Sequence, residues 1–271
     1  MAKPIIKFVG GKSQMLDTIK EMMPANYNRY YEPFLGGGAV LLDLNPKEAY
    51  VNDINSKLID MYIMIRDQVE QVIEYLTYLD DMHEKAADPK EFYYDVRMIF
   101  NRVTMKSPEQ AARFIYLNKH CFNGLYRVNS KGEFNVPFNG KLTGGSFDAD
   151  HLRGAAEQLK DVVFSNTDFE NFLISAGEND FCFIDSPYAP LTATSFTDYT
   201  KEGFSYEDHV RLATTFDELS DRGAYCMLTN HDTPLIRELY KDYNIKVVDV
   251  RRSINRNGDN RKGKEVIITN Y

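Results

Sequence analysis

The stretch RYYEPFLGGGAVLLDL, residues 29–44, constrains this chain more than any other. An aromatic, strand-like run (29–34) passes into Gly36-Gly37-Gly38 and then into an apolar run of helical character. A second strand-like run, EAYVNDI (48–54), ends at Asp53, and SKLIDMYIMI follows with helical spacing. Strand, glycine loop, helix, strand, helix is the order in which an open parallel sheet begins. Glycines at such a junction let backbone approach a ligand closely. Asp53, 17 positions after Gly36, stands near where an acid in Rossmann-like sheets accepts ribose hydroxyls. The three glycines do not fit G-x-G-x-x-G, which favours a nucleoside cofactor without a pyrophosphate, or else a turn that binds nothing.

From about 59 to 121 strand signals vanish, and charged, Tyr- and Met-rich amphipathic stretches take over. LYRVN and EFNVPF then flank Ser130-Lys131-Gly132, the pattern of a β-hairpin with a short turn. After about 150 strand-like runs return at 162–166, 181–185, 224–230, 245–250 and 265–270, with helical stretches around 168–175, 205–221 and 233–240. The expected fold class is therefore α/β, a sheet domain formed by 1–58 and 148–271 and interrupted by a helical insertion with a hairpin, 59–147.

A net charge of −8 argues at first against a nucleic-acid partner. Its distribution argues the other way. Six basic residues lie between Arg251 and Lys264 against one acid, Asp259, and Lys3, Lys7 and Lys12 open the chain with no acid among them. Lys119, Arg127, Lys131 and Lys141 surround the hairpin, where Glu133 is the sole acid. Cys121, Cys182 and Cys226 are scattered without paired spacing, which fits a reducing compartment and no zinc. With no apolar run near 18 residues and no signal-peptide pattern, the expectation is a cytoplasmic protein with no membrane span.

Two further stretches carry chemistry. KFVGGKSQML lacks the spacing of a P-loop, so ATP hydrolysis is rejected; Phe8 is placed to stack on a cofactor and Lys12 to neutralise a carboxylate, unless both belong to an ordinary loop. FIDSPYAPL follows a buried strand-like run, and ligands of open α/β sheets sit beyond the carboxyl ends of strands. Asp185-Ser186-Pro187-Tyr188 fits a turn. It equally fits a site. Asp185 and the Ser186 carbonyl supply two acceptors, Pro187 holds Ser186 extended, and Tyr188 supplies a stacking surface, which together suit a planar exocyclic amine.

Taken together, KFVGGKSQML, YEPFLGGGAV, NDINSKLI, CFNGLYRVNSKGEFNVPF, FIDSPYAPLTATSFTDY, LTNHDTPLIRELY and RRSINRNG resemble the Dam-type DNA adenine-N6 methyltransferases (D12 class, alpha group), in the family's order and over nearly the whole chain. The resemblance implies a Rossmann-like methyltransferase sheet with an inserted target-recognition domain, S-adenosyl-L-methionine as cofactor, no metal, and double-stranded DNA as substrate. Phe8 (where the family often has tryptophan), Lys12, Glu32, Pro33, Phe34, Gly36, Gly38, Asp53, Asp168, Phe169 and Asp185 would serve the cofactor. Asp185, Ser186, Pro187 and Tyr188 would form the catalytic pocket. The usual tetrapeptide is Asp-Pro-Pro-Tyr, so Ser186 is a departure: it keeps the backbone carbonyl and loses ring rigidity.

The same resemblance makes the hairpin a recognition finger, with Phe122, Asn123, Leu125, Arg127 and Pro137 facing bases, Lys7 beside them, and Arg251 and Arg252 on phosphates. It implies a target adenine flipped from the duplex and stacked on Tyr188, direct methyl transfer, and GATC as the leading sequence. Competing readings are an amino-methyltransferase acting on cytosine, RNA or a glutamine amide, and a non-catalytic DNA-binding relative in which Ser186 marks a decayed site. A monomer is the default expectation.

Overall fold

The computed structural model describes residues 3–8, 10–191, 203–251 and 262–271. In chain order its strands are β1 (Tyr30–Glu32), β2 (Ala49–Asn52), β3 (Val163–Ser165), β4 (Phe181–Ile184), β5 (Tyr225–His231), β6 (Asn244–Arg251) and β7 (Lys262–Thr269). Its helices are α1 (Leu16–Met22), α2 (Ala39–Leu44), α3 (Ser56–Lys85), α4 (Pro89–Arg102), α5 (Pro108–His120), α6 (Ala149–Gln158), α7 (Phe169–Leu173), α8 (Tyr206–Asp221) and α9 (Pro234–Leu239). They fall into two compact units: Met1–Ser13, Gly36–Asn45 and Asn55–Asn166 form the first, and Gln14–Leu35, Pro46–Ile54 and Thr167–Tyr271 the second.

In the second unit, strands follow the order β2-β1-β4-β5-β7-β6. β2, β1, β4 and β5 run parallel, whereas β7 is antiparallel to both β5 and β6. The four apolar residues of β4, Phe181 to Ile184, are all fully buried, as a strand covered on both faces requires. Alternate residues Cys182 and Ile184, Cys226 and Leu228, and Val266 and Ile268 pack with Phe172, Leu212, Phe216 and Ile236 from α7, α8 and α9 in one cluster. β6 is the outer strand of this order and carries exposed Lys246 and Asp249, the charges that discourage further strand pairing. The last strand of the chain thus slots between two earlier ones, a topology that the order of strand signals does not reveal.

In the first unit, the strandless stretch 59–121 is built from α3, α4 and α5. Asp88 and Ser107 cap α4 and α5 ahead of Pro89 and Pro108, each in the first turn, where a missing N–H costs nothing. The expected insertion, 59–147, lies wholly inside this unit. α6 had no expected counterpart: its buried face is only Leu152, Ala155 and Ala156, too small a stripe to stand out. The hairpin forms with less ladder than its pattern suggests. Two isolated bridges, Cys121 with Phe138 and Val128 with Phe134, hold it, and its turn closes by Gly132 N–H donating to the Asn129 carbonyl (2.9 Å).

Away from the loops that follow the parallel strands, Asp180 joins the starts of β1 and β4. Its buried carboxylate accepts from Arg29 Nε (3.0 Å) and Nη2 (2.6 Å), from the Arg29 N–H (3.1 Å) and from the Gly177 N–H (2.9 Å). Asp180→Ala is expected to lower unfolding free energy by about 2 kcal/mol, because two backbone donors and the part-exposed Arg29 guanidinium lose a buried acceptor. Urea denaturation with an unchanged m-value checks this; a loss under about 1 kcal/mol would remove the carboxylate from the sheet's essential ties.

Candidate active site

Because β2, β1, β4 and β5 are parallel, their carboxyl ends share one edge of the sheet. Asp53 follows β2, Glu32 ends β1 ahead of Pro33 and Phe34, Asp185 follows β4, and His231 ends β5. The chain order reverses between β1 and β4, which is where an open sheet leaves a crevice for a ligand.

The last residues of β5 hold the tetrapeptide after β4. Thr229 Oγ1 donates to Asp185 Oδ1 (2.8 Å). Asn230 Nδ2 donates to Ser186 Oγ (3.2 Å), while its Oδ1 accepts the Ala189 N–H and the His231 N–H (both 2.8 Å). His231 Nδ1 lies 2.8 Å from the Ala189 carbonyl, and its ring meets Tyr188 edge-on, with centroids 4.7 Å apart. Tyr188 donates its hydroxyl to Glu265 Oε2 (2.8 Å), and Glu265 sits on β7 directly opposite His231. Burial, then the Asp185 and Glu265 charges, push the Tyr188 phenol far above its ordinary range, so it remains a neutral donor. Ser186 is buried, Pro187 exposed, and Asp185 and Tyr188 half-buried. Ser186 is therefore tethered by its own hydroxyl.

The neighbouring strand ends are tied together by Asn52. Its Nδ2 donates to the Pro33 carbonyl (3.1 Å) and the Thr167 carbonyl (3.0 Å), its Oδ1 accepts the Thr167 N–H (2.9 Å), and its own carbonyl accepts the Leu35 N–H (2.9 Å). One buried amide thereby joins Pro33–Leu35 to the turn before Asp168, with half-buried Asp53 next in sequence. Buried Glu32 accepts the Tyr30 hydroxyl (2.8 Å), whose pKa burial and the Glu32 charge raise well above normal. Asp168 caps α7 and pairs with Arg211 Nη2 (2.9 Å), a guanidinium that also meets Glu170 and Asp208 (2.8 Å each) and lies over the Phe169 ring. Phe34, Phe169 and Phe204 form an aromatic group with centroids 5.5–5.8 Å apart.

Within the first unit, Gly36 (φ +48°) and Gly38 (φ +63°) take left-handed backbone that glycine alone adopts cheaply. Phe8 fills the space beside them: a Cβ on Gly36 or on Gly37 would lie 3.1 Å from its atoms. Tyr126 stacks on Phe8 at 6.2 Å, and Tyr62 donates to the Gly36 carbonyl (3.2 Å). Lys12 is buried and donates to the Gly10 carbonyl (2.6 Å).

The finger opens with the turn Phe122–Gly124, in which Asn123 adopts φ +58°. Phe122, 52% exposed, donates its N–H to the Pro137 carbonyl (2.8 Å). Exposed Arg127 is braced by Asn135 Oδ1 (2.8 Å), Leu125 is half-buried, and Lys7, Lys119, Lys131, Pro137 and Lys141 are exposed. Arg251 closes β6; Arg252 and the basic loop after it lie outside the described residues. Thr229, Asn230, Glu265, Asn52 and Arg211 were not expected at the site. LTNHD and NDINSKLI contain three of them, but only the fold shows what their side chains hold.

Buried His209 on α8 packs edge-on against Phe204 (4.9 Å), and burial lowers its pKa to about 4. The unfolded chain takes up this proton near pH 6.5, the folded one only near 4. Stability from this group is complete above the unfolded value and is expected to fall by up to about 3 kcal/mol as pH drops through that window. Denaturation midpoints from pH 7 to 4 measure the slope; His209→Leu should flatten it, and an unchanged slope would clear His209 of the effect.

Among the described residues, no group of His, Cys, Asp and Glu could hold a metal ion, and no helix is long and apolar enough to cross a membrane. The model of one family, D12 class N6 adenine-specific DNA methyltransferase, matches residues 8–254. The chain is 42% identical to the Type II methyltransferase M1.LlaDCHI of Lactococcus lactis subsp. cremoris, over 99% of this chain and 95% of that one. It is 41% identical to the Type II methyltransferase M.MjaIII of Methanocaldococcus jannaschii, over 99% of each. To the DNA adenine methylase of Escherichia coli K12 it is 34% identical, over 99% of this chain and 95% of that one. The mixed sheet, its glycine junction and a match of this extent make one conclusion: the chain belongs to the D12 class of N6 adenine-specific DNA methyltransferases.

Proposed function

We propose that this enzyme methylates the adenine of GATC in duplex DNA, with the base flipped out and gripped by Asp185, Ser186 and Tyr188. The observation that carries the reading is the bracing of this tetrapeptide at the sheet's reversal point by Thr229, Asn230, His231 and Glu265. S-adenosylmethionine, when bound, supplies an electrophilic methyl group on a sulfonium. The residues present suit it: in the first unit the Gly36–Gly38 backbone with Phe8 and Lys12, and in the second Glu32 to Phe34, Asp53 for ribose hydroxyls, and Asp168 with Phe169 for the adenine ring.

Asp185 and the Ser186 carbonyl would accept hydrogen bonds from the two amine N–H groups of the target, turning its lone pair out of the ring toward the methyl. Tyr188 would stack on the base, a contact worth about 1–3 kcal/mol against the few spent on unstacking. The finger in the insertion 59–147 would read the site, with Arg127 on a guanine edge, Phe122 entering the stack, and Asn123, Leu125, Pro137 and Lys7 beside them. Arg251 and Arg252 would contact phosphates. GATC itself is proposed from the finger's likeness to GATC-methylating members. A cytoplasmic monomer completes the reading.

Transfer of a labelled methyl group to GATC duplexes, beside duplexes with one base changed, tests it. Asp185→Ala should lower kcat on the order of 10²–10³-fold. A variant as active as the parent would sink the assigned role. Arg127→Ala should cost about 1–3 kcal/mol of discrimination at one base pair; an unaltered preference would take base reading away from it. Asn230→Ala should lower kcat about 10- to 100-fold by loosening Ser186, and Ser186→Pro in that background should recover part of the loss. No recovery would mean that Asn230 does not act through position 186.

A further inference from the structure

Lys7 is gripped by its main chain. Buried Asn118, near the end of α5, accepts the Lys7 N–H on Oδ1 (2.9 Å) and donates Nδ2 to the Lys7 carbonyl (2.8 Å), as an adjacent strand would. The same Nδ2 donates to the Gly124 carbonyl (3.1 Å) in the turn that opens the finger. Contact there is tight: a Cβ on Gly124, which has φ +66°, would lie 2.7–2.8 Å from the Lys7 side chain. Cys121 Sγ closes the same turn onto the Leu125 carbonyl at 3.3 Å. One planar peptide away, Phe8 is wedged against Gly36 and Gly37. A single amide thus fastens the finger's first turn to the residue next to the ring that covers the glycine loop.

We propose that Asn118 is a positioning residue that couples the cofactor loop to the recognition finger. A ligand that fixes Phe8 over the glycine loop fixes the Lys7 peptide, and through Asn118 it fixes the turn that presents Phe122. The inference rests on the proposed roles of Phe8 and of the finger. Linkage makes it reciprocal: DNA that seats the finger tightens the cofactor by the factor with which the cofactor tightens DNA.

The test is calorimetric binding of S-adenosylhomocysteine with and without a GATC duplex. For the parent enzyme the duplex should tighten it by about tenfold. Asn118→Asp keeps an acceptor for the Lys7 N–H but loses both donations, and Asn118→Ala loses all three bonds. In each the factor should fall toward one, while affinity without DNA changes little. A purely structural amide would lower thermal stability and leave the factor intact. That result in both variants, or a parent factor of one, overturns the proposal. Should neither variant fold, amide hydrogen exchange of the parent decides: S-adenosylhomocysteine alone should slow exchange at residues 122–125, and unchanged exchange overturns the coupling. Slowed exchange in a parent that transfers no methyl group would strike the functional reading and leave the coupling standing.

Discussion

Parallel pairing of β2, β1, β4 and β5 is the constraint from which the second unit's chemistry follows. It sends every connecting loop out at one edge, and those loops leave the ladder with backbone groups that still need partners. Asparagine supplies them. Asn52 and Asn230, on β2 and β5, each present an acceptor and a donor on one short planar arm, so each can pair like a stray peptide unit. Asn118 serves the first unit in the same manner. A carboxylate of the same size could accept these bonds but not donate them, which explains why the three positions are not acids.

What was legible in the sequence is what local pattern controls. The glycine junction after β1, the turn at Asn129–Gly132, the buried run of β4 and the tetrapeptide behind it are each written in a handful of adjacent residues. The partners of that tetrapeptide are not. Glu265 reaches Tyr188 across 77 positions because β7 enters antiparallel beside β5, a pairing no local signal encodes. Asn230 meets Ser186 across 44 positions for the same kind of reason. α6 escaped notice for an energetic one, since two alanines and a leucine bury too little to mark a face.

The acidic total and the DNA substrate are reconciled by segregation. Lys7, Lys119, Arg127, Lys131 and Lys141 are all exposed on the first unit, around the finger. Some acids are paired within the second unit instead: Asp168, Glu170 and Asp208 surround Arg211, and Asp180 binds Arg29. Net charge governs solubility and approach at long range, but within about 10 Å at ordinary salt the local cluster decides what a phosphate meets.

The seating of Phe8 against two bare glycine backbones has an optical consequence. The chain contains no tryptophan, so its intrinsic ultraviolet emission comes from tyrosine. An indole placed at position 8 would be the molecule's single long-wavelength fluorophore, lodged between the glycine loop and the Tyr126 ring. Its colour and brightness would follow the polarity of that crevice alone. The protein thus offers a spectroscopic window on its own glycine loop, with a dark background supplied by the composition.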